Sequence, residues 1–152
     1  MTTEHFVIDA SVAGKWFLDD EESVDIARVV HVKMLADEIK LHAPVILYYE
    51  LGNILTKAKR RKDRPLTAER SREAYEYFLE IPITFHDQDT DNKMATLDFA
   101  NKHHRSFYDS TYICLAIDLG YKWLTAERRF RGGFPPSFPI EHVQILESLK
   151  VK

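Results

Sequence analysis

One cysteine, Cys114, stands in 152 residues, so no internal disulfide staples the chain and no thiolate zinc site can be built. Its apolar neighbours mark it as a small core residue, and its isolation fits a reducing, cytoplasmic compartment. An excess of positive charge is also missing: 21 Lys and Arg against 24 Asp and Glu give a net charge of −3. That excludes the bulk basicity of a nucleic-acid coat, though not a local basic patch. No stretch approaches the roughly 20 apolar residues needed to span a membrane. The start, Met1-Thr2-Thr3-Glu4-His5, has no basic leader ahead of an apolar run, and a strand is expected almost at once. Seven histidines include no pair at the three- or four-residue helical spacing of a zinc site. They are expected at the surface or at helix ends. Repeats, low-complexity tracts and linkers are absent too, so one domain is expected over residues 1–152.

What is present alternates between strand and helix. His5 to Ala10 reads as a buried strand, with Ser11 placed to cap a helical segment through Leu18. A helical stripe runs from Glu22 to Glu38, and a brief strand from Leu41 to Ala43. Pro44 suits the first turn of a helix that reaches Arg60 along Leu47, Leu51, Ile54, Leu55 and Ala58. Thr67 opens another helix, Pro82 closes it, and Ile83 to Phe85 is a strand. Met94, Leu97 and Ala100 mark the next helix. Ser106 caps a further one, which Gly120 closes. Lys122 to Thr125 and His142 to Leu146 complete the strands, with a short helix expected from Ala126. Strands separated by helices predict a central parallel sheet of about five strands, covered by helices on both faces. In such sheets ligands bind beyond the carboxyl ends of the strands.

Four acids fall where that edge would be. Asp9 ends the most apolar strand; Asp109 lies in the first turn of its helix; Glu127 follows the fourth strand; Glu50 sits beside an apolar helical stripe. Converging carboxylates repel unless a cation lies between them, so the set points to a divalent-metal site. Carboxylates, with the hydroxyls of Ser11 and Thr125 nearby, are hard oxygen donors suited to Mg²⁺ or Mn²⁺. Asn53, one turn beyond Glu50, is placed to hydrogen-bond its carboxylate. A basic run, Lys57, Lys59, Arg60, Arg61, Lys62 and Arg64, ends the helix carrying Glu50. Arg105 and the group Arg128, Arg129 and Arg131 lie close in sequence to Asp109 and Glu127. These cations offer phosphate contacts or a solvated charged surface. Trp16 and Phe17 are expected in the core or a subunit contact, with stacking on bases as the other reading, and Tyr108 and Tyr112 in the core. Tyr48 and Tyr49 cannot both face inward.

In V-I-D-A-S at residues 7–11, Y-E-L-G-N at 49–53, F-Y-D-S-T-Y at 107–112 and L-T-A-E-R-R-F at 124–130, the chain resembles the PIN-domain nucleases almost from end to end. Its length and layout resemble the VapC-type toxins of toxin–antitoxin pairs. The resemblance implies a three-layer α/β/α domain and metal-dependent hydrolysis of RNA leaving a 5′-phosphate and a 3′-hydroxyl. It also implies an antitoxin partner, a homodimer and no membrane. Asp9, Glu50, Asp109 and Glu127 are then the catalytic and metal-binding stations, supported by Ser11, Asn53 and Thr125. The phosphate contacts would be Lys57, Lys59, Arg60, Arg61, Arg105 and Arg128. One departure stands out: the fourth station, commonly Asp, is Glu127 here. It leaves open a non-catalytic PIN-like RNA-binding or scaffold protein. Receiver-type phosphotransfer lacks its acidic pair and lysine, and dehalogenase-type phosphatase chemistry lacks its Asp-x-Asp.

Overall fold

A computed structural model describes residues 2–18, 22–127 and 134–150. Within them lies a five-stranded, all-parallel sheet: β1 (Glu4–Ile8), β2 (Ile39–Pro44), β3 (Ile83–His86), β4 (Lys122–Thr125) and β5 (Val143–Ile145), in the order β3-β2-β1-β4-β5. The helices α1 (Ala10–Ala13), α2 (Val24–Leu35), α3 (Ile46–Lys59), α4 (Ala68–Glu80), α5 (Thr90–His103) and α6 (Phe107–Leu119) cover both faces. This is the expected three-layer α/β/α arrangement. The first strand is central, and the chain order reverses on either side of it, which opens a crevice at its carboxyl end. Burial on both faces explains why β1 and β4 read as apolar runs without alternation: Val7, Ile8, Trp123 and Leu124 are all buried.

Several local signals act as the sequence predicts. Thr67 accepts from the Arg70 N–H, Ser106 accepts from the Asp109 N–H, and Gly120 closes α6 at φ 73°, where any side chain would be strained. Others differ for identifiable reasons. Asp9, not Ser11, caps α1, because its carboxylate reaches the Ser11 and Val12 amides while Ser11 already lies in the helix. Pro44 is the last residue of β2 rather than the first turn of α3; its missing N–H falls where the strand ends. The helix expected over 22–38 is shorter, Val24–Leu35, after a left-handed Ser23. Ala100 is buried on α5 as expected, but Met94 and Leu97 are exposed and Thr96 is buried with Ala100 instead. The helix expected from Ala126 lies largely outside the described residues.

Candidate active site

The C-terminal end of β1 delivers Asp9 into a closed ring of donors. Its Oδ1 accepts from the Ser11 amide (3.0 Å), the Ser11 hydroxyl (2.5 Å) and the Val12 amide (3.3 Å). Its Oδ2 accepts from the Trp123 indole N–H (3.0 Å) and the Thr125 hydroxyl (2.5 Å). The two hydroxyls are themselves held from β4 and the segment after it. Ser11 Oγ accepts from the Ala126 N–H at 2.9 Å, and Thr125 Oγ1 from the Glu127 N–H at 3.2 Å. Asp9 therefore ties β1, α1 and β4 together while standing at the mouth of the crevice. Burial nonetheless pushes its carboxyl up to about 6, against the opposing pull of the Ser11, Thr125, Trp123 and Val12 bonds.

Glu50 and Asp109 approach from α3 and α6. Glu50 accepts a 2.6 Å hydrogen bond from the Tyr112 hydroxyl. Burial raises its pKa first; the Tyr112 bond opposes that, and the negative charge of Asp109 adds to it. Tyr112 is itself buried, and its phenol is driven far up by burial and then by Glu50, Asp9 and Asp109. Three carboxylates, from the end of β1, from α3 and from α6, thus lie within electrostatic reach of one phenol, and of these Glu50 bonds it. Tyr112, expected as plain core, and Trp123, which no reading of the sequence marked, hold two of them. Aromatic side chains on buried stripes carry no outward sign that their polar tips face a carboxylate. The hydrogen bond expected from Asn53, which is exposed, comes from Tyr112 instead. Among the described residues, no three His, Cys, Asp or Glu side chains are drawn tightly enough around one point to hold a metal as placed.

Glu127 is half-buried on the far side of Thr125. It lines a cavity of about 310 Å³ together with Ser11, Lys15, Ile54, Lys57 and Arg61. Lys15, two residues after α1, is buried there, a position the sequence did not mark. Of the basic run, Lys57 and Arg61 line this cavity; Lys59 and Arg60 do not. Arg105 lies with its guanidinium 5.6 Å from the Phe138 ring centre, a cation–π contact. Arg128, Arg129 and Arg131 lie outside the described residues. Tyr49 is exposed and Tyr48 stacks on Phe85 with ring centres 3.8 Å apart, so the two do face opposite ways. Tyr108, expected inside, is exposed.

The histidines are not all peripheral. His5, His42 and His86, from β1, β2 and β3, form a hydrogen-bonded row: His5 Nδ1 to His42 Nε2 and His42 Nδ1 to His86 Nε2, each 2.9 Å. Tyr121 lies against His5 and His42. Such a row is satisfied when each ring carries a single proton, every shared nitrogen pair having one donor and one acceptor. Burial, then the neighbouring His86 and His5, pushes His42 down to about 4, which keeps it neutral. Spacing along one chain cannot reveal a row built across three strands.

An acid-lined crevice at the carboxyl edge of a parallel sheet defines a class of α/β proteins that act on ligands beyond the strand ends. The chain belongs to the PIN domain family, whose model matches residues 6–132. It is 28% identical over 133 residues to ribonuclease VapC3 of Pyrobaculum aerophilum, across 85% of this chain and 94% of that protein. Its fold is similar to the structure of VapBC2 from Rickettsia felis bound to a promoter DNA fragment. There the TM-score is 0.63 at 12% identity, over 93% of this chain and 98% of that one. It is similar also to VapC20 of Mycobacterium tuberculosis, a sarcin–ricin loop cleaving toxin, with TM-score 0.62 at 15% identity, over 88% and 99% of the two chains. Among the described residues no helix is long and apolar enough to cross a membrane.

Proposed function

We propose that this protein is a divalent-metal-dependent endoribonuclease, the toxin of a toxin–antitoxin pair, with Asp9, Glu50, Asp109 and Glu127 as its acidic stations. The observation that carries the reading is that Glu50 bonds the Tyr112 hydroxyl while the charges of Asp9 and Asp109, from two other elements, act on the same phenol. Membership of the PIN domain family and likeness to a VapC ribonuclease support it. The donor set fits a hard cation: all oxygen, with burial and then the charge of Asp109 raising the pKa of Glu50, as expected of acids that share a site. Asp9, Glu50 and Asp109 would hold Mg²⁺ or Mn²⁺, and Glu127 a second ion or an outer water.

A bound divalent ion supplies positive charge to the scissile phosphate and acidifies a water. The protein's own groups do the rest. The Ser11, Val12, Trp123 and Thr125 donors keep Asp9 in one rotamer. Tyr112 holds Glu50 in place and disfavours its protonated form. Lys15, Lys57 and Arg61 face the cavity beside Glu127 and offset the charge of an incoming phosphodiester. The antitoxin, a homodimer and a single nuclease domain over residues 1–152 belong to the same proposal. A scaffold role has only Glu127 in its favour.

The decisive measurement is Mn²⁺-dependent cleavage of RNA by wild type, Asp9→Asn and Asp109→Asn, with product ends identified. Activity in the parent with 5′-phosphate products, and a loss of at least about 100-fold in either variant, is expected. Equal activity in all three would mean a contaminant and would end the reading.

A further inference from the structure

His5, His42 and His86 stand on one face of the sheet. Val7 pairs with His42 and Pro44 with His86, and His5 and His42 lie two residues before Val7 and Pro44. The row runs from the central strand to β3, an edge strand of four residues with a ladder on one side only. Its far end bears on the candidate active site. The Val45 N–H, just ahead of α3, donates to the His86 carbonyl at 3.2 Å, and Phe85 stacks on Tyr48, two residues before Glu50. The end of β3 thus holds the start of the helix that delivers Glu50, and the His42 ring holds the end of β3.

Proton counting sets how the row behaves. Three rings have six nitrogens. Four of them form the two 2.9 Å pairs, and each pair needs one proton, neither none nor two. His5 Nε2 and His86 Nδ1 are left at the ends. Three neutral rings supply three protons, two for the pairs and one for an end. A first added proton fills the other end and breaks nothing. A second has to enter a pair, where two N–H groups then face each other and two charges share three adjacent rings. His5 and His86 are half-buried and line separate cavities, whereas His42 between them is buried.

The surroundings of the row carry both signs of charge. Tyr121 lies against His5 and His42, with ring centres 4.6 and 4.9 Å away. Lys40 is the register partner of His5, and Glu4, Lys122, Glu141 and His142 share its cavity. Asp87 and, from α5, Lys93 share that of His86. Helix α6 packs on the same face, since its Tyr112 stacks on Trp123, the register partner of Val7; its acids are Asp109 and Asp118. What acts on His42 is burial first, then His86 and His5, which push it from 6.5 down to about 4. The contribution of the row is therefore complete above 6.5 and lost as pH falls toward 4.

We propose that the His5–His42–His86 row is a pH-sensitive latch, which pins the end of β3, and with it the start of α3 that positions Glu50, until a second added proton breaks it. The edge strand is the one that yields, because β1 is paired on both sides. The latch is a property of the fold, and only its effect on cleavage rests on the ribonuclease reading.

Amide hydrogen exchange of the metal-free protein, corrected for the intrinsic pH dependence of exchange, follows the Val45 N–H directly, with the Leu124 N–H of β4 as reference. In wild type, Val45 protection should fall at least about tenfold relative to Leu124 between pH 7 and about pH 4.5. His86→Gln should hold it across that range, because a side-chain amide pairs with His42 whether or not the facing nitrogen carries a proton. His86→Leu should lack it at both pH values. An equal fall in wild type and His86→Gln overturns the latch, as does full Val45 protection in His86→Leu at pH 7. If His86→Leu does not fold, the contrast between wild type and His86→Gln decides alone. RNA cleavage with Mn²⁺ at pH 7 should be about three- to tenfold slower in His86→Leu and unchanged in His86→Gln. A wild-type rate in His86→Leu overturns the link to Glu50. A wild type that cuts no RNA ends the ribonuclease reading, and the exchange result still decides the latch.

Discussion

Replacing Tyr112 by Phe removes one oxygen and nothing else. The ring is buried and near-parallel to Trp123, at an interplanar angle of 10°, so packing survives. What is lost is the 2.6 Å bond to the Glu50 carboxylate. A hydrogen bond to a charged acceptor nets about 1.5–3 kcal/mol, and the loss is softened where the carboxylate is half open to water. A cost of about 1–2 kcal/mol follows, or about 3–6 °C in the melting temperature of a chain this size. The second consequence concerns the metal. The Tyr112 bond is what counters burial and Asp109 in keeping Glu50 ionised. Without it Glu50 holds its proton to higher pH, and Mn²⁺ affinity should fall about 10- to 100-fold. Thermal unfolding and Mn²⁺ titration calorimetry measure the two effects. Repeating both in a Glu50→Gln background closes the cycle, because the Tyr112 effect on Mn²⁺ affinity should vanish there. Equal Mn²⁺ affinity of wild type and Tyr112→Phe would refute the role given to this pair.

Thr125→Val leaves Asp9 Oδ2 with the indole alone and removes the acceptor of the Glu127 amide. Activity should drop about 10- to 100-fold with a smaller loss of stability, measured by steady-state cleavage beside thermal melts. Two groups pull stability in opposite directions with pH. His42 is lowered from 6.5 to about 4, so its contribution is present above 6.5 and lost as pH falls toward 4. Asp9 is raised from 3.8 to about 6, so its contribution is present below 3.8 and lost as pH rises through 6. Between pH 4 and 6 they offset, and the metal-free wild type should show a shallow profile. Asp9→Asn removes the opposing slope, so its urea-unfolding free energy should fall on acidification by up to about 1.4 kcal/mol per pH unit; a profile parallel to wild type counts against both assignments. Finally, Lys57→Ala with Arg61→Ala should flatten the salt dependence of RNA binding by about one to two counterions, which titrations across ionic strength would read directly.

The legible part of the molecule is the part written locally. β4 occupies Lys122 to Thr125 as expected, because four residues bounded by a left-handed glycine and a polar segment leave little choice. The caps at Thr67 and Ser106 follow from side chains three residues from their amides. The acids were visible because a charge at the end of an apolar run violates the surrounding pattern. Their supports were not. Trp123 and Tyr112 obey the hydrophobic pattern and differ from core residues only at one polar atom, whose partner is more than sixty positions away. Lys15 reads as a solvated charge until α1 and the cavity around it are placed. The histidine row exists only once the order β3-β2-β1 is known.

One carboxylate links folding to the chemistry. Asp9 caps a helix of only four residues, too short to persist alone, and the same side chain is fixed from β4 by Trp123 and Thr125. The contacts that secure α1 and those that reach across to β4 therefore meet on one side chain, which is held from both sides. The raised pKa is the cost of that immobility: a carboxylate kept dry and aimed rather than left in water. A cation in the crevice would offset that cost, as it would the mutual repulsion of Glu50 and Asp109. On this account Mn²⁺ should raise the melting temperature of the wild type in proportion to RT ln(1 + [Mn²⁺]/Kd). Asp109→Asn should lose most of that gain while its metal-free melting temperature holds or rises, since one of two repelling charges is gone. A metal-free melting temperature well below wild type would mean that Asp109 stabilises the fold rather than burdening it.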